Sequence, residues 1–268
     1  MKSYVKEFLF LKSFCLALSV IILVCFIIFQ FASPEWVINL AKEDSFFEWL
    51  TFLCLFGAAI LYYLSFRKYK NFFLLLLALV LFFGAGEEIS WGQRIFGFST
   101  PESIKQINTQ GEFTIHNLEL FSGKQFDQHK RTGIENLLKI SLLFKIFTFI
   151  FGILLPLATY HIKVIATFTK KIKLPIPPFS IGIFFFINWL FMVIGTKYLL
   201  DVGGNNRQYS IMIFSATEIY EFISALVLFL IGLYFYKMKL GNRMGKDIKQ
   251  VIQPRKNQHV ATENLAVA

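Results

Sequence analysis

The sequence predicts an all-α fold: a polytopic membrane helix bundle of about six transmembrane helices, with cytoplasmic N and C termini and a long structured external loop between helices 3 and 4. Three observations carry this prediction. Hydrophobic residues make up 56% of the 268 residues, only 16% are charged, and phenylalanine alone occurs 34 times, more apolar surface than a soluble core of this size needs. The chain divides into apolar windows close to the roughly 20 residues that a spanning helix requires. Most of the 27 Lys and Arg residues fall in every second connection, which fixes orientation by the positive-inside rule.

Taken in order, the first span is expected near 12–31. Its apolar part exceeds the roughly 7 to 15 residues of a signal peptide, and no small-x-small cleavage site follows, so it is expected to remain as a helix. The connection Ala32–Ser45 contains Ser33-Pro34-Glu35-Trp36, an N-cap followed by proline at the first helical position. A short interfacial helix with Trp36 at headgroup level is predicted there. The second span, near 46–66, meets the third, near 72–90, through the minimal turn Arg67–Asn71. An external cap over 91–135 follows, and spans near 138–160, 179–200 and 217–237 complete a single domain over residues 1–240. The segment 241–268 lacks apolar periodicity and reads as a basic, disordered cytoplasmic tail.

Lys2 and Lys6, the Arg67-Lys68-Tyr69-Lys70 turn, the Lys163, Lys170, Lys171 and Lys173 connection and the Lys237–Lys256 tail share the side assigned to the cytoplasm. The net charge of +10 is then explained by topology and by attraction to anionic headgroups, with no nucleic-acid partner implied. Cys15, Cys25 and Cys54 all fall within spans without paired external spacing, so packing is expected of them and no disulfide framework.

The acids take the opposite side. Gly84-Ala-Gly-Glu87-Glu88-Ile-Ser-Trp91-Gly-Gln-Arg94 places adjacent carboxylates at the end of the third span. Entered from Lys70, the glutamates come after about 15 residues, or roughly 22 Å at 1.5 Å per residue. That leaves them several ångströms inside a hydrocarbon core about 30 Å thick, where an ionisable group is a functional-site hypothesis by default. Counting back from Lys237 puts Glu221 at nearly the same depth, and counting from Arg67 puts Glu48 slightly higher. A capping role competes at four of the acids. Ser45-x-x-Glu48, Ser215-x-x-Glu218, Ser99-x-x-Glu102 and Thr132-x-x-Glu135 all have the spacing of capping boxes, in which the glutamate serves a helix start. Gly84, Gly86 and Gly92 beside the pair, and Ser224 and Ala225 beside Glu221, permit close approach of a helix or ligand. Arg94 and Lys145 are the candidate cationic partners.

The external segment from Glu87 to Glu135 is far longer than an ordinary connection. Its amides and aromatic residues suit a structured cap, with Thr100-Pro101-Glu102 as a helix start and Asn108–Gly111 as a turn. Glu112 and His116, four residues apart, point the same way on a helix or a strand. The candidate catalytic residues are Glu87, Glu88, His116 and Glu221. The candidate substrate-binding residues are Glu48, Trp91, Arg94, Asn108, Gln110, Glu112, Asn117 and Glu218. No motif requires a cofactor. The oxygen-rich set would suit Mg²⁺, Ca²⁺ or Mn²⁺ better than Zn²⁺, so a divalent cation is left open. His129 reads as a solvated loop residue. There is no G-x-S-x-G, Walker or dinucleotide motif, and no internal repeat of the transporter kind.

The runs Gly86-Glu-Glu-Ile-Ser-Trp-Gly-Gln-Arg94 and Ile107-Asn-Thr-Gln-Gly-Glu-Phe-Thr-Ile-His-Asn-Leu118 resemble an uncharacterised family of bacterial multi-pass inner-membrane proteins, with weaker echoes at Glu43–Trp49 and Glu218–Glu221. The resemblance implies a bacterial cytoplasmic membrane and no particular activity. Acids and a histidine at one membrane face also give a general likeness to polytopic lipid hydrolases of the alkaline ceramidase type, whose three-histidine set this chain lacks.

Two classes of function follow from the residues. In one, an outward-facing carboxylate and histidine site acts on a lipid or lipid-linked envelope substrate by acid–base chemistry, with Glu87 or Glu88 as the proton-transfer group. In the other, the same layer is an ion or solute site on a transport path. A third reading, a non-catalytic subunit of an envelope-assembly complex, leaves the acids to cap helices.

Overall fold

The computed structural model describes residues 2–41, 45–122, 137–203 and 207–237, which form an all-α helix bundle. The helices are α1 (Lys2–Phe31), α2 (Pro34–Ala41), α3 (Phe46–Tyr69), α4 (Phe72–Glu88), the short turns α5 (Gln93–Phe96), α6 (Glu102–Lys105) and α7 (Glu119–Ser122), α8 (Ile140–Phe149), α9 (Leu155–His161), α10 (Lys163–Lys171), α11 (Phe179–Gly203) and α12 (Arg207–Lys237). Among the described residues, five helical segments are long and apolar enough to cross a membrane, at Phe8–Phe31, the α3 part of Pro34–Tyr69, Ile140–His161, Phe179–Tyr198 and Ser215–Lys237. The predicted third span is shorter than expected. α4 has 17 residues and ends at Glu88, because the chain then turns through left-handed backbone instead of continuing to residue 90. The predicted tail, the loop after Ser122 that holds Glu135 and His129, and Glu43 lie outside the described residues.

The helix boundaries follow local chemistry. α2 begins at Pro34, with Trp36 N–H and Val37 N–H donating to the Ser33 carbonyl. Trp36 is exposed, as a headgroup-level tryptophan should be. At the α3–α4 turn Lys70 adopts left-handed φ 53°, and its N–H closes on Phe66 O. Asn71 then accepts from Phe73 N–H at 2.9 Å and donates through Nδ2 to Lys173 O at 2.5 Å. One side chain thus caps α4 and ties it to the connection before α11.

Between α8 and α9 the helix widens into a π turn, Ile150–Leu154, closed by Leu155 N–H on Ile150 O. Pro156, next in the chain, has no N–H for Gly152 O, so widening here costs little. The Gly152 carbonyl instead lies against Gly182 of α11, so close that a Cβ on Gly182 has no room.

α12 is the central helix. Of its apolar window 67% is buried inside the protein, against 22% for α1, so α12 packs on protein on most sides and α1 on few. Ile223, Val227, Leu228, Ile231 and Phe235 of α12 meet Leu55, Ala58, Ala59 and Tyr62 of α3 in the core. Tyr62 is fully buried, edge-on to Phe235, and its ring occupies the space left open by Gly232. The outward sides of α1, α3 and α4 carry exposed Leu16, Leu23, Leu53, Ile60, Leu79 and Phe82, an apolar belt that suits hydrocarbon as its surroundings.

The bundle has two chemically distinct ends. At the basic end Lys68 Nζ donates to Tyr236 O, Lys237 lies 5.6 Å from the Phe10 ring centroid, and Asn71 holds Lys173. The acidic end carries the predicted site.

Candidate functional site

The site is built where α4 stops. Ser90 and Trp91 both adopt left-handed φ, 48° and 55°, and Gly92 follows at 77°. Two consecutive non-glycine residues in this region store backbone strain, which persists only where surrounding contacts fix it. Those contacts are visible. The Trp91 ring folds back on Gly86, where a Cβ would come within 2.9 Å of it, and packs edge-on against Phe82 and Phe83. Trp91 Nε1 donates to Glu87 Oε1 at 2.6 Å. Gly86 therefore serves the indole.

The chain then forms a closed loop over the end of the bundle. Its stem is an antiparallel bridge between Asn108 and Leu118, with Thr109 N–H donating to Asn117 O and Glu119 N–H to Ile107 O. Asn108 is buried inside the loop. Its Oδ1 accepts from Gln110 N–H and Glu112 N–H, and its Nδ2 donates to the Thr114 carbonyl. An asparagine so occupied shapes the turn and has little left for a ligand.

Three side chains in and beside the strained turn fasten this loop to the bundle. Gln93 Oε1 accepts from Phe113 N–H at 2.9 Å, while its Nε2 donates to Thr100. Ser90 Oγ donates to Glu112 Oε2 at 3.0 Å. Glu87 Oε2 accepts from Ile115 N–H at 2.7 Å and His116 N–H at 2.8 Å, and it lies 3.2 Å from His116 Nδ1. Glu87 is buried, whereas the His116 side chain retains 34% of its exposure. The imidazole is therefore held by a carboxylate at one nitrogen and still reaches the surface. Burial by itself would depress the His116 pKa, but the hydrogen bond and charge of Glu87, with Glu221 and Glu112 adding, raise it above its ordinary value.

Beneath the loop the predicted layer is assembled. Glu221, Glu218, Glu48 and Glu87 all lie close enough to Glu88 for their charges to act on it. Glu221 in turn feels His116 and Lys145, and Lys145 Nζ sits 5.3 Å from the Tyr220 ring centroid. Carboxylates from α3, α4 and α12 thus meet, with Lys145 of α8 beside them. Among the described residues no group of three or more His, Cys, Asp or Glu side chains is arranged to hold a metal ion.

Several expectations about these acids change. Ser45 does not cap α3: its Oγ donates to Leu40 O. Ser215 lies well inside α12, which begins at Arg207, so Ser215 and Glu218 mark no helix start. α6 is a single turn whose N-cap is Pro101, and no side chain caps it. Thr132 and Glu135 lie outside the described residues. Of the predicted contact residues, Trp91 is turned onto Glu87, Asn117 is buried beneath the loop stem, Gln110 sits half-buried at the turn, and the side chain of Arg94 lies outside the described ones. Gln93 was not anticipated. A glutamine after a tryptophan and glycine carries no recognisable signature, and its role depends on a loop twenty residues away.

Comparison with known protein families, curated proteins and solved structures returns no match. The class that fold and sequence define is an integral multi-pass membrane protein.

Proposed function

We propose that this protein is a membrane-embedded enzyme that uses the His116–Glu87 pair for acid–base chemistry on a lipid or lipid-linked envelope substrate. The observation that carries the reading is the geometry of His116. Its Nδ1 is engaged by a buried, fully hydrogen-bonded carboxylate, which fixes ring orientation and leaves Nε2 to exchange a proton. Glu87 stabilises the imidazolium that forms when Nε2 removes a proton from a substrate hydroxyl or a water. This divides the two glutamates: Glu87 positions the base, and Glu88, half-buried among Glu221, Glu218 and Glu48, is the carboxyl group that takes or returns the second proton.

A lipid substrate is supported by the surroundings. The cap exposes Ile95, Phe96, Ile107 and Ile115, the last beside His116. An apolar rim around a charged site, at the end of a bundle with an apolar belt, suits the boundary between headgroups and acyl chains. The bacterial inner membrane, with the site facing outward, belongs to the same proposal. Loss of a positioned general base costs on the order of 10²–10⁴ in rate. In a host strain lacking the protein, mass spectrometry of envelope lipids should show one species accumulating. Wild-type protein should clear it, and His116→Ala or Glu88→Gln at unchanged membrane abundance should not. An unaltered lipid inventory would overturn the proposal.

A further inference from the structure

The connection between α9 and α11 carries a feature the site does not use. The helix breaks at Ile162, whose φ and ψ of −113° and 105° are those of extended chain. α10 then begins on a new course and is bound back to the bundle at its end. Leu174 N–H donates to Thr169 O, and Asn71 Nδ2 donates to the Lys173 carbonyl. At 100° per residue α10 has three sides. Thr169, with Ile165 and Ile172 next to it on the wheel, is turned to the protein, and Thr169 is buried. Val164 and Phe168, one turn apart, point away from the bundle and are 78% and 58% exposed. Lys163 and Lys170 lie on the third side and Lys171 at its border with Val164, and all three are exposed.

An isolated soluble helix gains nothing by presenting a valine and a phenylalanine beside three lysines. A helix in the plane of a membrane interface does: the apolar side enters the acyl boundary and the lysines meet the headgroups. α10 follows directly on the segment Ile140–His161, which is long and apolar enough to cross a membrane. Tyr160 and Ile162 at the junction are exposed as well, so exposed apolar surface runs from that segment into α10. Lys68, Lys70 and Lys237 lie at the same end, so the charge complement is to anionic headgroups.

We infer that α10 is an interfacial anchor that recognises acidic phospholipid at the basic end of the bundle, through Val164 and Phe168 in the bilayer and Lys163, Lys170 and Lys171 on the headgroups. This is independent of the chemistry at the opposite end.

The test uses the full chain reconstituted in vesicles of phosphatidylcholine, with and without phosphatidylglycerol. In a background with Cys15, Cys25 and Cys54 replaced by alanine, spin labels are placed at Phe168→Cys and Lys170→Cys. The label at 168 should be relaxed by oxygen and lie below the phosphates, and the label at 170 should be relaxed by a water-soluble nickel complex. A second measurement guards against a damaged background. Native mass spectrometry of otherwise unaltered protein should show retained phosphatidylglycerol in preference to phosphatidylcholine, and Lys163→Gln/Lys170→Gln/Lys171→Gln should reduce that preference, by about fivefold per lysine at most. Equal aqueous access at both positions would overturn the inference. So would shielding of position 168 from both reagents, which would mean that a protein covers it, and so would equal lipid retention by the triple variant.

Discussion

Glu87 accepts from the Trp91 indole and from two backbone N–H groups, and it also holds the His116 ring. A carboxylate can receive all four because ionised oxygen only accepts. In Glu87→Gln the amide nitrogen would face N–H donors, and hydrogen bonds to a charged acceptor, worth about 1.5–3 kcal/mol each, would weaken together. The loop Ile107–Glu119 is then expected to lose protection from amide exchange at Ile115 and His116 while the helices keep theirs. Unchanged protection at both amides would show that Glu87 does not hold the loop. The sign of the pH effect follows from the raised His116 pKa. The stabilisation from protonated His116 beside Glu87 is complete below the ordinary value near 6.5 and is lost as pH rises through the higher folded value. Titration of the His116 ring by NMR should therefore show a midpoint above 6.5 that falls in Glu87→Gln. That Glu87 and Glu221 would fall at one level of the bundle could be inferred from the sequence, because distance along an apolar helix is a matter of counting. The fastening could not, since Ser90 and Trp91 are not residues that announce left-handed backbone and only Gly92 does.

The π turn between α8 and α9 shows how an element can be set by its neighbour. Pro156 signals a disturbed helix, but nothing in Ile150–Leu154 says that the freed carbonyl of Gly152 will meet Gly182, which lies thirty positions on in another helix. Small residues at such a crossing allow backbones to touch. Gly182→Ala places a methyl against backbone, which cannot rotate away, so α8 and α11 must part. A loss of about 1–3 kcal/mol is expected, as for other overpacked sites. Gly57 offers the control: a Cβ there would meet the Phe229 ring at 2.9 Å, a side chain that can turn. Thermal unfolding in detergent should therefore fall further for Gly182→Ala than for Gly57→Ala, and equal losses would contradict the backbone contact. The same dependence on neighbours explains why one capping-box spacing starts no helix. Ser-x-x-Glu at 215–218 has the right spacing, but α12 continues through it because Ala216, Ile219 and Ile223 bury against the bundle.

Across the whole molecule, the contacts make the chain run between the two ends six times. α1 starts near Lys237, since Phe10 lies against it, and its far end reaches Gly195, where Gln30 and Phe29 stand. α3 descends to Lys68 at the basic end, and α4 climbs from Asn71 to the site in 17 residues, about 26 Å at 1.5 Å per residue. α8 and α9 run from Lys145 beside Glu221 to the connection that holds Lys173. α11 rises from Ser180, whose carbonyl accepts from Cys15 Sγ, and α12 returns from Glu221 to Lys237. Six traverses place the beginning of α1 and the end of α12 on one side, with the His116 loop on the other. The clustering of lysine and arginine at the first side assigns it to the cytoplasm, which is a prediction with a direct test. In intact cells Gln110→Cys, within the loop, should react with a membrane-impermeant maleimide, and Gly245→Cys should react only after the cells are opened. Labelling of position 245 alone in intact cells would invert the orientation and put the acid–base site in the cytoplasm. A lipid substrate delivered from outside would then be untenable, although the internal geometry of the site would be unchanged.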